Sequence, residues 1–191
     1  MDSSKLVKYK YGASWQLIFF HNSTGRVLFT KDSPDLLICN KTQQFSTLGT
    51  LTDNYKINGY FEFLLEYPEF NYLIHWRQKK NPIKSESNIG FIPLHVPDNP
   101  CPFNGLAITR SKTYTFLDGN VGSTVWHYAI GSYGTWGGSE SIPGPYLLDE
   151  NKKELGSKIV NLYVRIRTSI SCKINKKAPI KEFLLIALFV S

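Results

Sequence analysis

The chain predicts an all-β protein, an antiparallel β-sandwich of the jelly-roll or galactose-binding-like kind with few or no long helices. Three observations predict it. Short segments alternate apolar and polar side chains with the period of two that marks half-buried strands. Glycine and proline, 14 and 10 in number, punctuate the intervals between these segments, where turns need them. Tyr and Phe dominate an aromatic share of 14%, and such residues favour strands over helices. About eight short strands separated by turns describe two packed antiparallel layers.

Residues 1–13 read as a lead-in. Ser14 to Phe20 is a strand with Trp15, Leu17 and Phe19 on one face, and the turn cluster His21 to Gly25 joins it to a second strand at Arg26 to Thr30. Leu36 to Cys39 is a short element, and Phe45, Leu48 and Leu51 are spaced as one turn of helix. Gly59 to Tyr67 alternates cleanly and Pro68 ends it. With Tyr72 to Trp76 it makes a hairpin, followed by a polar loop from Arg77 to Pro82. Half of the ten prolines fall between Pro82 and Asn104. Proline lacks the ladder donor, so this is a long connection with at most an edge strand near Phe91-Ile92. Gly105 to Thr109 and Thr113 to Leu117 are short strands. Lys158 to Arg167 alternates best, with Val160, Leu162, Val164 and Ile166 on a dry face and Asn161, Tyr163, Arg165 and Arg167 on a wet one.

The stretch from Phe116 to Pro145 organises the rest. A strand-like centre, Val125 to Ile130, lies between two glycine-rich segments carrying Trp126, Tyr128, Tyr133 and Trp136. Aromatics placed this way either plug a core or form a binding surface. Core suits Trp126 and an exposed loop suits Trp136, which is flanked by Thr135 and Gly137-Gly138.

A chain of 191 residues suits one domain, here 14–167, followed by a basic then apolar tail, 168–191. The formal net charge of +7 suits an anionic partner or plain solubility. Cys39, Cys101 and Cys172 are too few and too scattered for a disulfide framework or a zinc site. The polar start Met1 to Lys5 has no apolar signal region, so the expected location is a reduced cytoplasm, with cytoskeletal association as one possibility. The apolar run Phe183 to Val190 is too short to span a bilayer.

Seven blocks follow one another in a particular order: Ser14-Trp15 with His21 to Thr24; Phe45 to Gly49; Tyr60 to Pro68; Trp76-Arg77-Gln78 with Asn81-Pro82; Asp118-Gly119 with Gly122, Trp126 and Tyr128 to Gly131; Ile142 to Pro145; and Val160 to Arg165. Together they resemble a large family of single-domain proteins abundant in trichomonad protists. The resemblance spans residues 14–166 and implies a β-sandwich of galactose-binding-like or lectin-like shape. It brings no catalytic residues with it, and the tail from Arg167 departs from the pattern.

Enzyme signatures are missing: no Gly-x-Ser-x-Gly, no P-loop and no His-Glu-x-x-His. His21, His75, His95 and His127 lack ligand spacing, and Glu62 and Glu66 read as solvent-face carboxylates rather than a glycosidase pair. No catalysis and no obligatory cofactor are expected. Asp118 and Asn120 could hold Ca²⁺, although an Asp-Gly turn is the commoner explanation. A sugar site needs an aromatic platform and converging planar polar groups. Trp76, Arg77, Gln78 and Asn81 offer one such set; Asp118, Asn120 and Trp136 offer another. Carbohydrate binding by a non-catalytic module is the first expectation, set just ahead of its alternative by the lectin-like shape that the resemblance implies. The alternative is a structural protein docking on an acidic polymer, such as a microtubule or a larger cytoskeletal complex, through Arg165, Arg167, Lys173, Lys176 and Lys177. No RNA-binding motif is present, which disfavours nucleic acid.

Overall fold

The computed structural model describes residues 7–8, 14–22, 24, 44–87, 90–98, 102–108, 115–121, 128–132, 146–148 and 154–167. Among them there is no α-helix. Twelve strands run in chain order: β1 (Val7–Lys8), β2 (Ser14–Asn22), β3 (Gln44–Ser46), β4 (Phe61–Tyr67), β5 (Tyr72–Gln78), β6 (Ile92–His95), β7 (Ala107–Ile108), β8 (Thr115–Asp118), β9 (Ile130–Ser132), β10 (Tyr146–Leu148), β11 (Glu154–Gly156) and β12 (Ile159–Arg165). All pairings are antiparallel. The main sheet has the order β1-β2-β12-β4-β5-β6, with β3 also on the free side of β2; β7-β8-β9 form a second sheet and β10-β11 a hairpin. Neither of the two larger sheets closes on itself.

Local chemistry sets the element boundaries. Asn58 and Gly59, at φ 52° and 82°, make a tight turn that bridges Ile57 to Tyr60 and feeds the chain into β4. Pro68 opens a 3-10 turn, Pro68–Phe70, and Asn71 closes it in the left-handed region, so β5 folds straight back on β4. The turn into β12 is tied to that hairpin by Glu69. One carboxylate oxygen accepts the Ser157 hydroxyl and the backbone N–H groups of Lys158 and Ile159.

The main core lies on one face of the large sheet. Ile18, Phe19, Phe61, Phe63, Leu65, Tyr67, Ile74, Trp76, Val160, Leu162 and Val164 pack there with Leu48, Leu51, Phe103, Leu106, Leu117, Tyr128 and Ile130. The three-stranded sheet and the segment after β3 thus contribute to the same buried cluster. At buried Gly119 the packing is close enough that an added Cβ would sit 2.4 Å from Tyr128 Cβ, so only glycine fits.

Several expectations are corrected. The lead-in contributes β1, which pairs with Ser14 and Trp15. A bulge in β2 opposite Leu162/Tyr163 turns both Ile18 and Phe19 into the core, so Trp15 and Leu17 share a face that Phe19 does not. Phe45 is in a strand, and the turn after it, Leu48–Thr50, is 3-10. Arg77 and Gln78 belong to β5 rather than to a loop. Tyr128 sits at φ 59° in a turn, and the strand after it starts at Ile130. The wet face assigned to β12 is dry at its centre: Trp15, Leu64 and Tyr163 form a second buried cluster there, with Leu17 and Leu73 against it. The expected strands at Arg26 to Thr30 and Leu36 to Cys39, and the segment Val125 to His127, lie outside the described residues.

Candidate functional site

The structure divides the residues expected to bind sugar. Trp76 is fully buried on the core face, edge-on to Phe103 at 4.8 Å and tilted on Phe63 at 5.3 Å. The expected platform is a core side chain. Gln78 is buried beside it. Its Oε1 accepts the Trp76 indole N–H at 2.8 Å and the Leu106 N–H at 3.1 Å, while its Nε2 donates to the carbonyls of Lys80 at 2.8 Å and Leu106 at 3.0 Å. That engages every donor and acceptor of the amide. Asn81 donates to the Leu51 carbonyl at 2.8 Å and accepts from the Ile83 N–H at 3.1 Å. These three residues clamp the end of β5 to neighbouring loops.

Asp118 and Asn120 are also buried. The Asp118 carboxylate accepts the Asn120 N–H at 2.9 Å, which is the Asp-Gly turn. Burial raises the Asp118 pKa to about 6, outweighing the backbone hydrogen bonds from Asn120 and Gly119. Among the described residues, no three His, Cys, Asp or Glu side chains are grouped to hold a metal. Trp136, Lys173, Lys176 and Lys177 lie outside the described residues. Arg167 is exposed and donates to the Lys56 carbonyl at 3.0 Å.

Arg77 and Arg165, drawn from two different expectations, meet at one carboxylate. On the face opposite the core, β4 runs between β5 and β12. Glu62 is directly across from Arg77, and the ladder of β12 on β4 brings Arg165 to its other side. Arg77 Nε donates to Glu62 Oε2 at 2.7 Å, and Arg165 Nη1 reaches both carboxylate oxygens at 3.0 Å. His75 Nε2 is 3.0 Å from Glu62 Oε1, and Trp15 meets the His75 ring edge-on at 5.4 Å. The Glu62 side chain is 3% exposed, against 39% for Arg77 and 34% for Arg165. It is therefore not the solvent-face carboxylate that alternation suggested. Burial alone would raise its pKa. The hydrogen bonds from His75 and Arg77, with the charges of Arg165 and Arg77, overcome that and hold it at about 2. The cluster is a fixed carboxylate with two cationic forks leaning outward over it.

Sequence reasoning did not foresee Glu62 and His75 in this cluster. Half of the signal was present: a hairpin closed at Pro68 to Asn71 and counted back pairs Glu62 with Arg77. Nothing local placed Arg165 on the other side, because β12 joins the sheet from nearly a hundred residues away. Glu66, also on this face, accepts Asn161 Nδ2 at 2.9 Å and the Tyr163 hydroxyl at 3.3 Å. Compared with protein-family models, curated proteins and solved structures, the chain matches none.

Proposed function

We propose that this chain is a non-catalytic binding module, a β-sandwich that attaches to an acidic polymer such as a microtubule or a larger cytoskeletal complex. The observation that carries the reading is the pair Arg77 and Arg165. Both are about one-third exposed, and both are oriented by a single buried carboxylate. Arginine is the side chain suited to planar recognition of oxyanions, and the net charge of +7 attracts an acidic surface over longer range. Glu62 and Glu66 are not spaced as a glycosidase pair. Four residues along a strand separate them by about 13 Å, and different partners pin each one. A glycosidase pair works at about 5–9.5 Å.

Carbohydrate recognition is the second reading. It retains Arg77, which suits an acidic sugar, and Trp136; it loses Trp76, Gln78 and Asn81, whose polar groups are engaged inside the fold. Co-sedimentation with microtubules and with polyglutamate beads, beside a glycan array, separates the two. Attachment to the acidic protein polymers that weakens with added salt, and fails in the Arg77→Ala/Arg165→Ala double variant, is the expected result. Unchanged attachment of that variant, or binding only to neutral glycans, would overturn the proposal.

A further inference from the structure

We infer that Arg77 and Arg165 form a receptor for one carboxylate group, a side chain of an acidic protein partner, seated between the two guanidiniums with Glu62 beneath it. The inference rests on the docking reading above and gives it a chemical address.

The geometry comes first. Arg77 Nε and Arg165 Nη1 both bond the same Glu62 oxygen, at 2.7 Å and 3.0 Å. The two donor nitrogens therefore lie no further apart than those two distances together allow, close enough for one oxyanion to touch both groups. An arginine carries five N–H donors. Among the described residues, Arg77 engages only Nε and Arg165 only Nη1, so each keeps further N–H donors, and both side chains are about one-third exposed. The forks are already oriented, and an arriving group need not order two long side chains.

Charge selects the ligand. Two guanidiniums over one carboxylate leave a single positive charge. A partner carboxylate cancels it. A phosphate dianion would leave excess negative charge above buried Glu62, which is unfavourable where water is partly excluded. The surroundings select a protein as the source. Ile92 lies directly across from Arg77 on the edge strand, and Ile92 and Leu94 are exposed apolar side chains. Exposed aliphatic side chains beside the arginine pair suit a protein surface, where carboxylates stand next to apolar side chains.

The test uses the full chain and a charge-preserving variant. Arg77→Lys keeps the positive charge and loses the fork; Arg165→Lys does the same on the other side. Acetate, the probe, is titrated while the arginine Nε–H signals are followed by NMR, and polyglutamate affinity is measured in parallel. Expected are saturable shifts at Arg77 and Arg165 and a loss of about tenfold or more in polyglutamate affinity for each Lys variant, the effect of losing a charge-assisted hydrogen bond. Three outcomes overturn the receptor: unmoved Nε–H signals, Lys variants that bind as well as the parent, or heparin bound more tightly than polyglutamate with the same arginine dependence. If acetate moves both signals but no acidic polymer binds, the receptor stands and the docking reading falls. If polymer binds and the Lys variants are indifferent, docking stands and the receptor falls.

Discussion

Gln78 shows how a residue's surroundings decide its role. Its amide holds the Trp76 indole, the Lys80 carbonyl and both backbone groups of Leu106. Gln78→Leu would leave these buried groups unpaired, and each unsatisfied buried group costs about 1–3 kcal/mol. A loss of at least 3 kcal/mol or so in urea unfolding is expected, with faster hydrogen exchange at Leu106; a loss below about 1 kcal/mol would refute the clamp. Asp118 behaves in the opposite sense. Its pKa is raised to about 6 in the fold, against 3.8 ordinarily. Its contribution to stability is therefore complete below pH 3.8 and is lost as pH rises through 6. Asp118→Asn keeps the oxygen that accepts the Asn120 N–H and removes the charge. It should stabilise the protein by about 2–3 kcal/mol at pH 8 and hardly at all near pH 3.5. An equal effect at both pH values would show that ionisation of Asp118 is not the cause. Glu62 titrates the other way. Its pKa is lowered to about 2 from 4.5, so its contribution is present above 4.5 and lost as pH falls through 2. Glu62→Gln should cost about 2 kcal/mol at pH 7, below the usual figure for a buried pair because both arginines can turn to water. Near pH 2 the difference should nearly vanish. Urea unfolding at the two pH values checks this.

At the scale of elements, the alternating segments were legible because their period is local. β4 and β5 lie where alternation and Pro68 put them, and β6 is the edge strand expected within the proline-rich connection. What alternation could not show was the bulge in β2. One extra residue reverses the facing of everything beyond it, and no local residue type announces it. The hairpin of β10 and β11 was also missed; at three residues each, its strands are too short to display a period. The sugar set at Trp76 was misjudged for a related reason. Residues next to one another in a strand point to opposite faces, so Trp76 and Arg77 could never have lined one site. Pro93 marks another element-level device. It sits in the edge strand between exposed Ile92 and Leu94, beside a register shift opposite His75 and Trp76. A proline there removes a backbone donor from a strand that could otherwise recruit a second chain. Pro93→Thr restores that donor while the apolar neighbours stay exposed. It should raise self-association, seen as a concentration-dependent increase in light-scattering mass, and a variant that scatters like the parent would show that the proline does not guard the edge.

At the scale of the molecule, the order of strands in the main sheet differs from their order in the chain. β12, the last strand described, lies in the middle, with β2 on one side and β4 on the other. It brings Val160, Leu162 and Val164 to the core, Tyr163 to the second cluster and Arg165 to Glu62. This topology was the least legible part of the sequence, since no local signal says which of several equivalent alternating segments will be central. It has a consequence for folding. Until residues 159–165 are available, β2 with β1 and β3 has no ladder to β4 with β5 and β6, and neither group closes the core alone. Pairing across so long a separation makes β proteins fold slowly, on the order of milliseconds to seconds. A chain ending at residue 157 should therefore show no cooperative unfolding transition and poorly dispersed amide signals, whereas a chain ending at 167 keeps every described strand of the sheet and should unfold cooperatively. Adding a peptide of residues 158–167 to the shorter chain should restore dispersion, and with it the Glu62 cluster, because the missing strand supplies one of the two guanidiniums. A cooperative, native-like fold in the shorter chain without the peptide would mean that the halves of the sheet can close on one another without β12.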